Sequence, residues 1–506
     1  MAQTVAQGTL GEGRARMNVG NNGDHVAHDG KIFDSLNPCD TSTREAITKG
    51  NQAMKSESMF QVRREDLHNF TREENETLTR IGPATAMGNL FRQYWIPVVP
   101  VLHLSEARGR PLRIKLLGED LVLFRTKAGE VGLIGAYCSH RLAPLYFGRV
   151  EQDGLRCAYH AWKYAPNGRC IEMPNIPPEQ QFMEEVQHPG YPCVERGGII
   201  WIYMGLAKAL PELPDFEFLR VPDEHRIYRL FFQEANYLQV LEGGIDPTHV
   251  MWLHSPYDLS DEEMNEQQPA QQRAANKLGV KKTPEDVEIF DREAGFTYGA
   301  KRALGGGKSL WRVNQFILPF YTMPPGADQK AARAFVPVDD ENCVKWQVRW
   351  YPTEEAAKNT KEKVRESFPG ESYDPPTNSV PFGHIRMKAK RSNDYLIDWE
   401  THKTRRIGIA GVNLQDVCVT ENEGPGPIMD RTKEHLCAGD ISTIKARMKL
   451  LDAAKALREK GTVPPGAQDP GVYRVRGASI VVPDDVNWIE GVKDAMTVAP
   501  GNHQRP

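Results

Sequence analysis

Two short cysteine–histidine pairs constrain the fold of this chain more than any other feature. They read Cys138-Ser-His140 and Cys157-Ala-Tyr-His160, are separated by sixteen residues, and together form what we call the cluster quartet. Because each pair offers one thiolate and one imidazole, two loops must meet if all four side chains are to act together. Two thiolates on one iron and two imidazoles on the other hold a [2Fe–2S] centre of raised reduction potential. The alternative is a structural zinc site, although zinc fingers usually pair cysteine with cysteine and histidine with histidine.

A second group of possible metal ligands lies further along the chain. It is the string Glu242-x3-Asp246-x2-His249-x4-His254, predicted on an interrupted helix over 236–254. Two neutral imidazoles and one carboxylate on one side of Fe(II) leave coordination positions open for O2 and substrate. Two histidines on a polar helix are more often simply solvated, so the pair alone says little. The full string, with its carboxylates, indicates a site for a single iron.

Composition and pattern divide the chain into segments. Its 506 residues are too many for one compact core. Short β-forming runs between turn residues predict a small all-β domain around the cluster quartet. Strands mixed with helices follow a proline-containing linker that begins at Pro211, and they predict an α+β second domain. The predicted division is a poorly ordered extension at 1–70, the first domain with its leading helices at 71–210, the second domain at 211–490 and a tail at 491–506.

Charge and hydropathy argue against several classes of protein. The net charge is −4 and the sequence pI is near 6.4, so nothing predicts binding to nucleic acid or to an anionic membrane. No stretch approaches the roughly 20 apolar residues that cross a bilayer, and the N-terminus lacks the apolar core of a secretory signal peptide. We therefore expect a cytoplasmic protein, in which neighbouring cysteines and histidines are metal ligands more often than disulfides.

Four segments around the two ligand groups carry a resemblance to a known family: Arg141-Leu-Ala-Pro-Leu, Ala161-Trp-Lys-Tyr164, 236–246 and 415–436. With the two ligand groups, they resemble the large oxygenase component of the Rieske non-haem iron aromatic ring-hydroxylating oxygenases. The resemblance is to the phthalate dioxygenase branch and covers residues 70–490. That family usually carries glycine or proline close to the cluster ligands, a pattern from which Ala158 and Ala161 depart.

The resemblance implies cofactors and their ligands. A Rieske [2Fe–2S] cluster is implied at the cluster quartet. A mononuclear Fe(II) is implied at His249, His254 and a carboxylate from far downstream, for which Asp416 is the matching position. Asp398 and Glu421 are the rival carboxylates for this third position.

The same resemblance implies a fold and an activity. The fold is an N-terminal all-β Rieske domain followed by a catalytic domain whose curved antiparallel sheet packs on helices, a helix-grip arrangement. The activity is hydroxylation of an aromatic substrate with O2 and with electrons from a separate NAD(P)H-dependent flavin and iron–sulfur reductase. The branch implies a carboxylated, phthalate-like substrate. The alternatives are a monooxygenase or O-demethylase of a substituted aromatic acid, and an electron-transfer protein, which would need only the first domain.

Some further roles are implied for single residues. Asp246 resembles the family's carboxylate that passes electrons from one subunit to the next, so a homotrimer or a multiple of trimers is expected. Arg302, Arg312 and Arg349 lie on predicted strands of the second domain, where a guanidinium that faces the pocket would bind an aromatic carboxylate in a bidentate manner. Strand arginines more often face solvent, so Arg302 and Arg312 stand as candidate substrate-binding residues only.

Overall fold

The structure is a computed structural model that describes a defined part of the chain. The described residues are 59–60, 70–106, 109–206, 209–254, 286–326, 329–354, 372–405 and 407–500. Most of the predicted extension at 1–70 therefore lies outside the described residues. Within it, Met59–Phe60 forms a short strand, β1, so this part of the extension belongs to a sheet.

The helices among the described residues are α1 Arg72–Thr79, α2 Ala86–Phe91, α3 Val101–Glu106, α4 Tyr237–Ile245, α5 Val250–Leu253, α6 Trp399–His402, α7 Val412–Glu421, α8 Ile441–Lys460 and α9 Trp488–Met496. Helix α1 begins with a reciprocal capping box, because Glu74 N donates to Thr71 Oγ1 and Thr71 N donates to the Glu74 carboxylate. The leading helices pack on α4. Tyr237 donates a hydrogen bond from its hydroxyl to Leu78 O at 2.8 Å, and its ring lies 5.0 Å from that of Phe91. They thus pack against the predicted second domain, although they were assigned to the first.

The first domain is built from short antiparallel strands. These are β2 Trp95–Pro100, β3 Leu112–Leu116, β4 Glu119–Arg125, β5 Val131–Gly135, β6 Arg149–Val150, β7 Leu155–Arg156, β8 Lys163–Tyr164, β9 Cys170–Glu172, β10 Gly190–Tyr191, β11 Cys193–Arg196 and β12 Ile199–Tyr203. They form sheets in the orders β10-β5-β4-β3, β11-β12-β2 and β6-β7-β8-β9. The β5–β6 connection carries the first pair of the quartet and the β7–β8 connection carries the second. The predicted all-β domain is confirmed, with its ligands on loops.

The second domain contains one large antiparallel sheet. Its strands are β13 Arg226–Gln233, β14 Asp286–Arg292, β15 Gly295–Gly305, β16 Lys308–Ile317, β17 Tyr321–Met323, β18 Lys330–Asp339, β19 Asn342–Trp350 and β20 Ala478–Pro483. Among the described residues, nine strands form this sheet in the order β1-β14-β15-β16-β17-β18-β19-β13, and β20 pairs with β16. The predicted antiparallel sheet packed on helices is confirmed.

Helices α4 and α7 pack together on one face of the large sheet, which we call the inner face. Gln239 in α4 donates a hydrogen bond to Thr420 O in α7 at 3.0 Å. A Cβ added at Gly244 would lie only 2.2 Å from the Phe335 ring of β18, so a glycine is needed for α4 to approach the sheet. Helix α4 ends at Ile245, so the predicted helix over 236–254 is two helices joined by the segment that carries Asp246.

The C-terminal part of the described chain is also folded onto the sheet. Trp488 of α9 stacks on Trp311 of β16 with ring centroids 4.9 Å apart and planes 14° from parallel. The predicted tail from residue 491 therefore starts too early, inside α9. No helix within the described ranges combines the length and the apolar character required for a transmembrane span.

Candidate metal centres

The cluster quartet comes together where the β5–β6 and β7–β8 loops meet. The rings of His140 and His160 have centroids 4.5 Å apart, and Trp162 stacks on His140 at 4.8 Å. Cys138 and Cys157 are buried and free of disulfides. The structure thus brings two thiols and two imidazoles to the meeting point of the two loops.

Both loops turn through backbone conformations that usually favour glycine. Leu142 has a φ of 56° and Ala161 a φ of 61°, and left-handed conformations cost a residue with a side chain about 1–2 kcal/mol. The turns are closed by Leu142 N donating to Cys138 O at 2.8 Å and Cys157 N donating to Trp162 O at 2.8 Å. Ala161, noted above as a departure from the family's pattern, therefore occupies a position where the backbone itself would favour glycine.

Hydrogen-bond donors surround the two thiols. The hydroxyl of Tyr164 lies 3.2 Å from Sγ of Cys138 and accepts from Ser139 N at 3.0 Å. Tyr159 N donates to Sγ of Cys157 at 3.5 Å. Burial raises the pKa of Cys138, and metal binding to its sulfur would release the proton. Such donors stabilise a reduced cluster by spreading the charge on its sulfurs.

The histidine end of the quartet faces outward. Leu142 and Tyr159, beside the ligands in sequence, are 72% and 57% exposed. The guanidinium of Arg141 lies 5.6 Å from the Tyr159 ring. The histidine end of the quartet is therefore the more accessible one, whereas the cysteine end is enclosed.

The donor set fits a two-iron cluster better than a single zinc ion. Nδ1 of His140 is buried and makes no hydrogen bond to any described residue, as expected for an atom that faces a metal. Among the described residues, no three donor atoms of the quartet lie within 4.8 Å of one another. A single tetrahedral zinc with bonds of about 2.0–2.3 Å would need them closer than that, whereas two irons separate them.

The ligands expected for a single iron also converge. One donor atom each from His249, His254 and Asp416 lie within 4.8 Å of one another, and we call these residues the iron triad. Nε2 of His254 is 3.1 Å and Nε2 of His249 is 3.7 Å from Oδ1 of Asp416. Two imidazoles and one carboxylate are the donor set of non-haem Fe(II) oxygenases, so the triad fits such an iron.

Each imidazole of the triad has a polar partner near its other nitrogen. Nδ1 of His249 lies 3.3 Å from Oδ2 of Asp246, within ion-pair distance but without a hydrogen bond. Nδ1 of His254 donates to Oε1 of Gln415 at 2.7 Å, and Gln415 is itself held by donating to Ile409 O at 2.9 Å. Such outer partners fix the ring orientation and the tautomer of metal-binding histidines. Both Nε2 atoms are thereby left for a metal.

Asp416 has a cationic neighbour that the sequence analysis missed. Nζ of Lys345, on β19, lies 3.4 Å from Oδ2 of Asp416, and its side chain is 3% exposed. Burial alone would raise the pKa of Asp416, but the charge of Lys345 and the hydrogen bond from His254 hold it well below its usual range. A lysine between Val344 and Trp346 in an apolar strand was the available signal.

The rival carboxylates are used elsewhere. Asp398 caps α6 by accepting from Glu400 N at 2.9 Å. Glu421 accepts from the Tyr395 hydroxyl at 2.6 Å and from Glu234 N at 2.9 Å. Neither belongs to the group of converging donor atoms, so the structure favours Asp416.

Arginines line the inner face near the triad. Cross-strand partners project to the same face of a sheet. Followed from strand to strand, the register places Arg302, Arg312 and Arg333 on the face that carries Lys345. Arg333 was not among the predicted residues. It donates to Gly244 O at 3.3 Å, its Nε is buried without a hydrogen-bond partner among the described residues, and its charge adds to the effect of burial in lowering the pKa of Lys345.

A buried ion cluster anchors the helix that leads into the triad. Glu242 in α4 accepts from Arg431 Nε at 3.0 Å and from Arg447 Nε at 2.6 Å, and Arg447 also donates to Glu434 at 2.6 and 2.8 Å. Burial works against ionisation of Glu242, but the two arginines outweigh it and lower its pKa. Arg431 and Glu434, from the downstream segment 415–436, both belong to this ion cluster. The cluster holds α4 at Glu242, four residues before Asp246.

Comparison with protein families divides the chain at similar places. Residues 94–189 match the Rieske [2Fe-2S] domain, and residues 202–501 match the family described as "LigXa C-terminal domain like". The first match contains the cluster quartet, and the second contains the iron triad.

Characterised relatives match along most of their length. The chain is 36% identical to the 3-chlorobenzoate-3,4-dioxygenase oxygenase subunit of Comamonas testosteroni, over 82% of this chain and 96% of that protein. It is 32% identical to the phthalate 4,5-dioxygenase oxygenase subunit of Pseudomonas putida, over 83% and 94%. It is 35% identical to the 5,5'-dehydrodivanillate O-demethylase oxygenase subunit of a Sphingobium species, over 84% and 88%.

Solved structures share the fold. Pseudomonas putida CBB5 NdmA, solved with caffeine, superposes with a TM-score of 0.51 at 18% identity, over 76% of this chain and 96% of that one. At this identity the likeness concerns the fold alone.

Proposed function

Because the chain belongs to the Rieske non-haem iron oxygenases, we propose that it hydroxylates an aromatic carboxylate with O2, as the oxygenase component of a system with a separate reductase. The observation that carries the proposal is the convergence of His249, His254 and Asp416 behind a Rieske domain. An electron-transfer protein would need no such second site. A monooxygenase or O-demethylase would use the same residues, and the O-demethylase relative supports keeping that alternative.

The residues of the chain divide the work between two sites. We assign the [2Fe–2S] cluster to the cluster quartet and the single Fe(II) to the iron triad. When bound, the cluster supplies single electrons and the lone iron supplies a place to activate O2. Gln415 holds the His254 imidazole in orientation by a hydrogen bond, Asp246 lies beside the His249 imidazole, and Tyr164 donates toward the cysteine end of the quartet.

The charges around the triad favour an anionic substrate. Two cations, Lys345 and Arg333, face two carboxylates, Asp246 and Asp416, so the charge of a divalent iron is not compensated by these side chains. A substrate carboxylate would offset part of that charge. Arg333, whose Nε has no hydrogen-bond partner within the described ranges, is the residue that we propose for binding that carboxylate. Arg312 remains a second candidate, because its charge acts on Tyr298, as the charges of Arg333 and Asp246 do.

Electron delivery to the triad is proposed to involve a neighbouring subunit. Asp246 is partly exposed and already contacts His249 through Oδ2. A carboxylate in this position can accept a second imidazole N–H and so join two metal centres. We propose that it accepts from a cluster histidine of the next subunit, in a trimer or a multiple of trimers.

The first test is metal analysis of the anaerobically purified full chain, with electron paramagnetic resonance after reduction. The proposal expects about three irons and two labile sulfides per chain and a Rieske-type signal. Two irons without a mononuclear site would contradict the oxygenase assignment. Zinc in place of iron would contradict both sites.

The substrate class is tested by comparing an aromatic acid with its methyl ester. In Arg333→Leu, we expect the KM for the acid to rise roughly 10–100-fold, because a hydrogen bond to a charged group is lost, and the KM for the ester to stay unchanged. Arg458→Leu, which removes an arginine from an exposed pair with Glu459, serves as the control. An equal effect on acid and ester would contradict the proposed role of Arg333.

A further inference from the structure

We infer that Lys345 is a positioning residue that restricts Asp416 to binding the iron through one carboxylate oxygen. The inference rests on the proposed function, because it concerns the iron triad. It adds a role for a residue outside the triad and defines how many positions the site leaves open.

The two oxygens of Asp416 have different surroundings. Oδ1 faces the ring nitrogens of the triad, at 3.1 Å from Nε2 of His254 and 3.7 Å from Nε2 of His249. Oδ2 faces away, toward Nζ of Lys345 at 3.4 Å. A metal bound by both imidazoles therefore meets Oδ1 first, while Oδ2 is already engaged.

The position of Lys345 makes this arrangement difficult to change. Its side chain is 3% exposed on the inner face, and Asp416 is the carboxylate with which it pairs among the described residues. The Phe231 ring, 5.9 Å from Nζ, covers it on another side. If Asp416 rotated to bind iron through both oxygens, the buried amino group would lose its carboxylate, and an unpaired buried polar group is costly.

One-oxygen binding has a functional consequence. A carboxylate that chelates occupies two coordination positions, whereas one that binds through a single oxygen occupies one. With one oxygen from Asp416, the triad would hold an iron through three donor atoms, and the remaining positions would be available to O2 and substrate. Lys345 thus preserves an open position without touching the metal.

The test compares Lys345→Met and Lys345→Arg with the unaltered full chain, each loaded anaerobically with Fe(II). The readouts are Fe(II) affinity by chelator competition, the number of Asp416 oxygens on the metal by crystallography, and turnover. In Lys345→Met we expect two oxygens on iron, a higher Fe(II) affinity because a nearby positive charge is gone, and slower turnover. Lys345→Arg, which keeps a donor and a charge, should restore one-oxygen binding.

Gln347→Leu is the matched control, since it removes a different contact between β19 and α7. In that contact, Oε1 of Gln347 accepts a hydrogen bond from Nδ2 of Asn413 at 3.3 Å. It should leave the ligation of Asp416 as it is. Weaker Fe(II) binding with one oxygen in Lys345→Met would overturn the inference, and so would two-oxygen binding in the unaltered chain. No iron at the triad in any of these proteins would instead be a failure of the proposed function.

Discussion

The cluster quartet and the iron triad differ in how far apart their residues lie in the sequence. The quartet uses two loops separated by sixteen residues, inside one small β domain. The triad combines histidines around α5 with a carboxylate on α7, and the Gln415 that orients His254 is 161 positions away from it. A local site can be held by its own turns, whereas a distant one needs the packing of a whole domain.

The two sites also differ in their electrostatic support. Around the quartet, neutral groups such as Tyr164 and backbone N–H donors approach the thiols, and the ion pairs of Arg156 and Lys163 with Glu151 and Glu172 lie outside this contact layer. Around the triad, the support is ionic: Lys345 holds Asp416, and the buried Glu242 cluster holds α4. Buried ions stabilise a structure only while every partner is present, so the triad is expected to be the more fragile of the two sites.

The largest expected effect separates the two sites directly. Asp416→Ala should remove the single iron and abolish turnover, with a loss of metal affinity beyond the roughly 10–100-fold that removing an outer partner costs. The absorption of the [2Fe–2S] cluster should stay unchanged. Iron counting and visible spectroscopy on the purified variant check both points.

The matched controls for that experiment are Asp398→Ala and Glu421→Gln. Both keep the iron if Asp416 is the third ligand, because their carboxylates bind elsewhere in the structure. Loss of iron in Asp398→Ala, with iron retained in Asp416→Ala, would reverse the assignment.

A second experiment asks whether the triad depends on remote ions. Arg447→Met leaves Glu242 with less compensation for its buried charge, and breaking a buried ion pair costs about 3–5 kcal/mol. We expect a lower free energy of unfolding and a weaker hold on the single iron, measured by urea unfolding and iron retention. Arg458→Ala, at an exposed pair with Glu459, should change stability by less than about 1 kcal/mol. Equal effects of the two variants would show that the buried cluster is dispensable.

A third experiment compares two carboxylates across pH. Burial raises the pKa of Glu423 to about 8, and repulsion from Glu242 adds to it. Glu423 therefore makes its full contribution to stability at pH values below its usual pKa near 4.5, and this contribution is lost as the pH rises through about 8. The hydrogen bond from Arg156 lowers the pKa of Glu151, near the quartet, to about 2, so its contribution is present above about 4.5 and is lost only as the pH falls through 2.

Urea midpoints at pH 6 and pH 9 distinguish these cases. Glu423→Gln should become more stable relative to the unaltered protein as the pH rises, since each pKa unit corresponds to about 1.4 kcal/mol. Glu151→Gln should differ from the unaltered protein by the same amount at both pH values. A difference that stays constant for Glu423→Gln would refute the raised pKa.

The smallest expected effect concerns the potential of the cluster. Tyr164→Phe removes the hydroxyl beside Cys138, and a net hydrogen bond of about 0.5–1.5 kcal/mol corresponds to roughly 20–60 mV for a one-electron couple. The potential should fall, because the reduced cluster loses a donor. Tyr159→Phe is the control, since Tyr159 reaches Cys157 through its backbone N–H. Redox titration followed by electron paramagnetic resonance gives both values.

The same contrast explains what could be predicted from the sequence. The quartet could be predicted because its ligands sit in two short strings whose spacing shows in the sequence itself. Asp416 was identified through resemblance to a family, not through spacing, since nothing local connects it to His249. Lys345 is conspicuous in the sequence as a lysine in an apolar strand, but neither it nor Arg333 could be assigned to the triad, because their side chains face the triad only through the register of β18 and β19.

The strands were predicted better than their surroundings. Strands mixed with helices were predicted after Pro211, and the structure has β13 to β20 there, whereas some helices pack outside the segments to which they were assigned. Helices α1 and α2 were assigned to the first domain although they pack on α4, and α9 was divided by the predicted tail although Trp488 stacks on Trp311.

Strand β20 has a consequence for handling the protein. It pairs along Lys308 to Val313 of β16, the strand that carries Arg312, and so supplies one border of the catalytic sheet from near the end of the described chain. A shortened version that stopped before Ala478 would leave this stretch of β16 with unpaired backbone groups, which attract strands of other molecules. Expression of such a version is expected to yield aggregates, and affinity tags are better added beyond residue 500 than in place of the final segment.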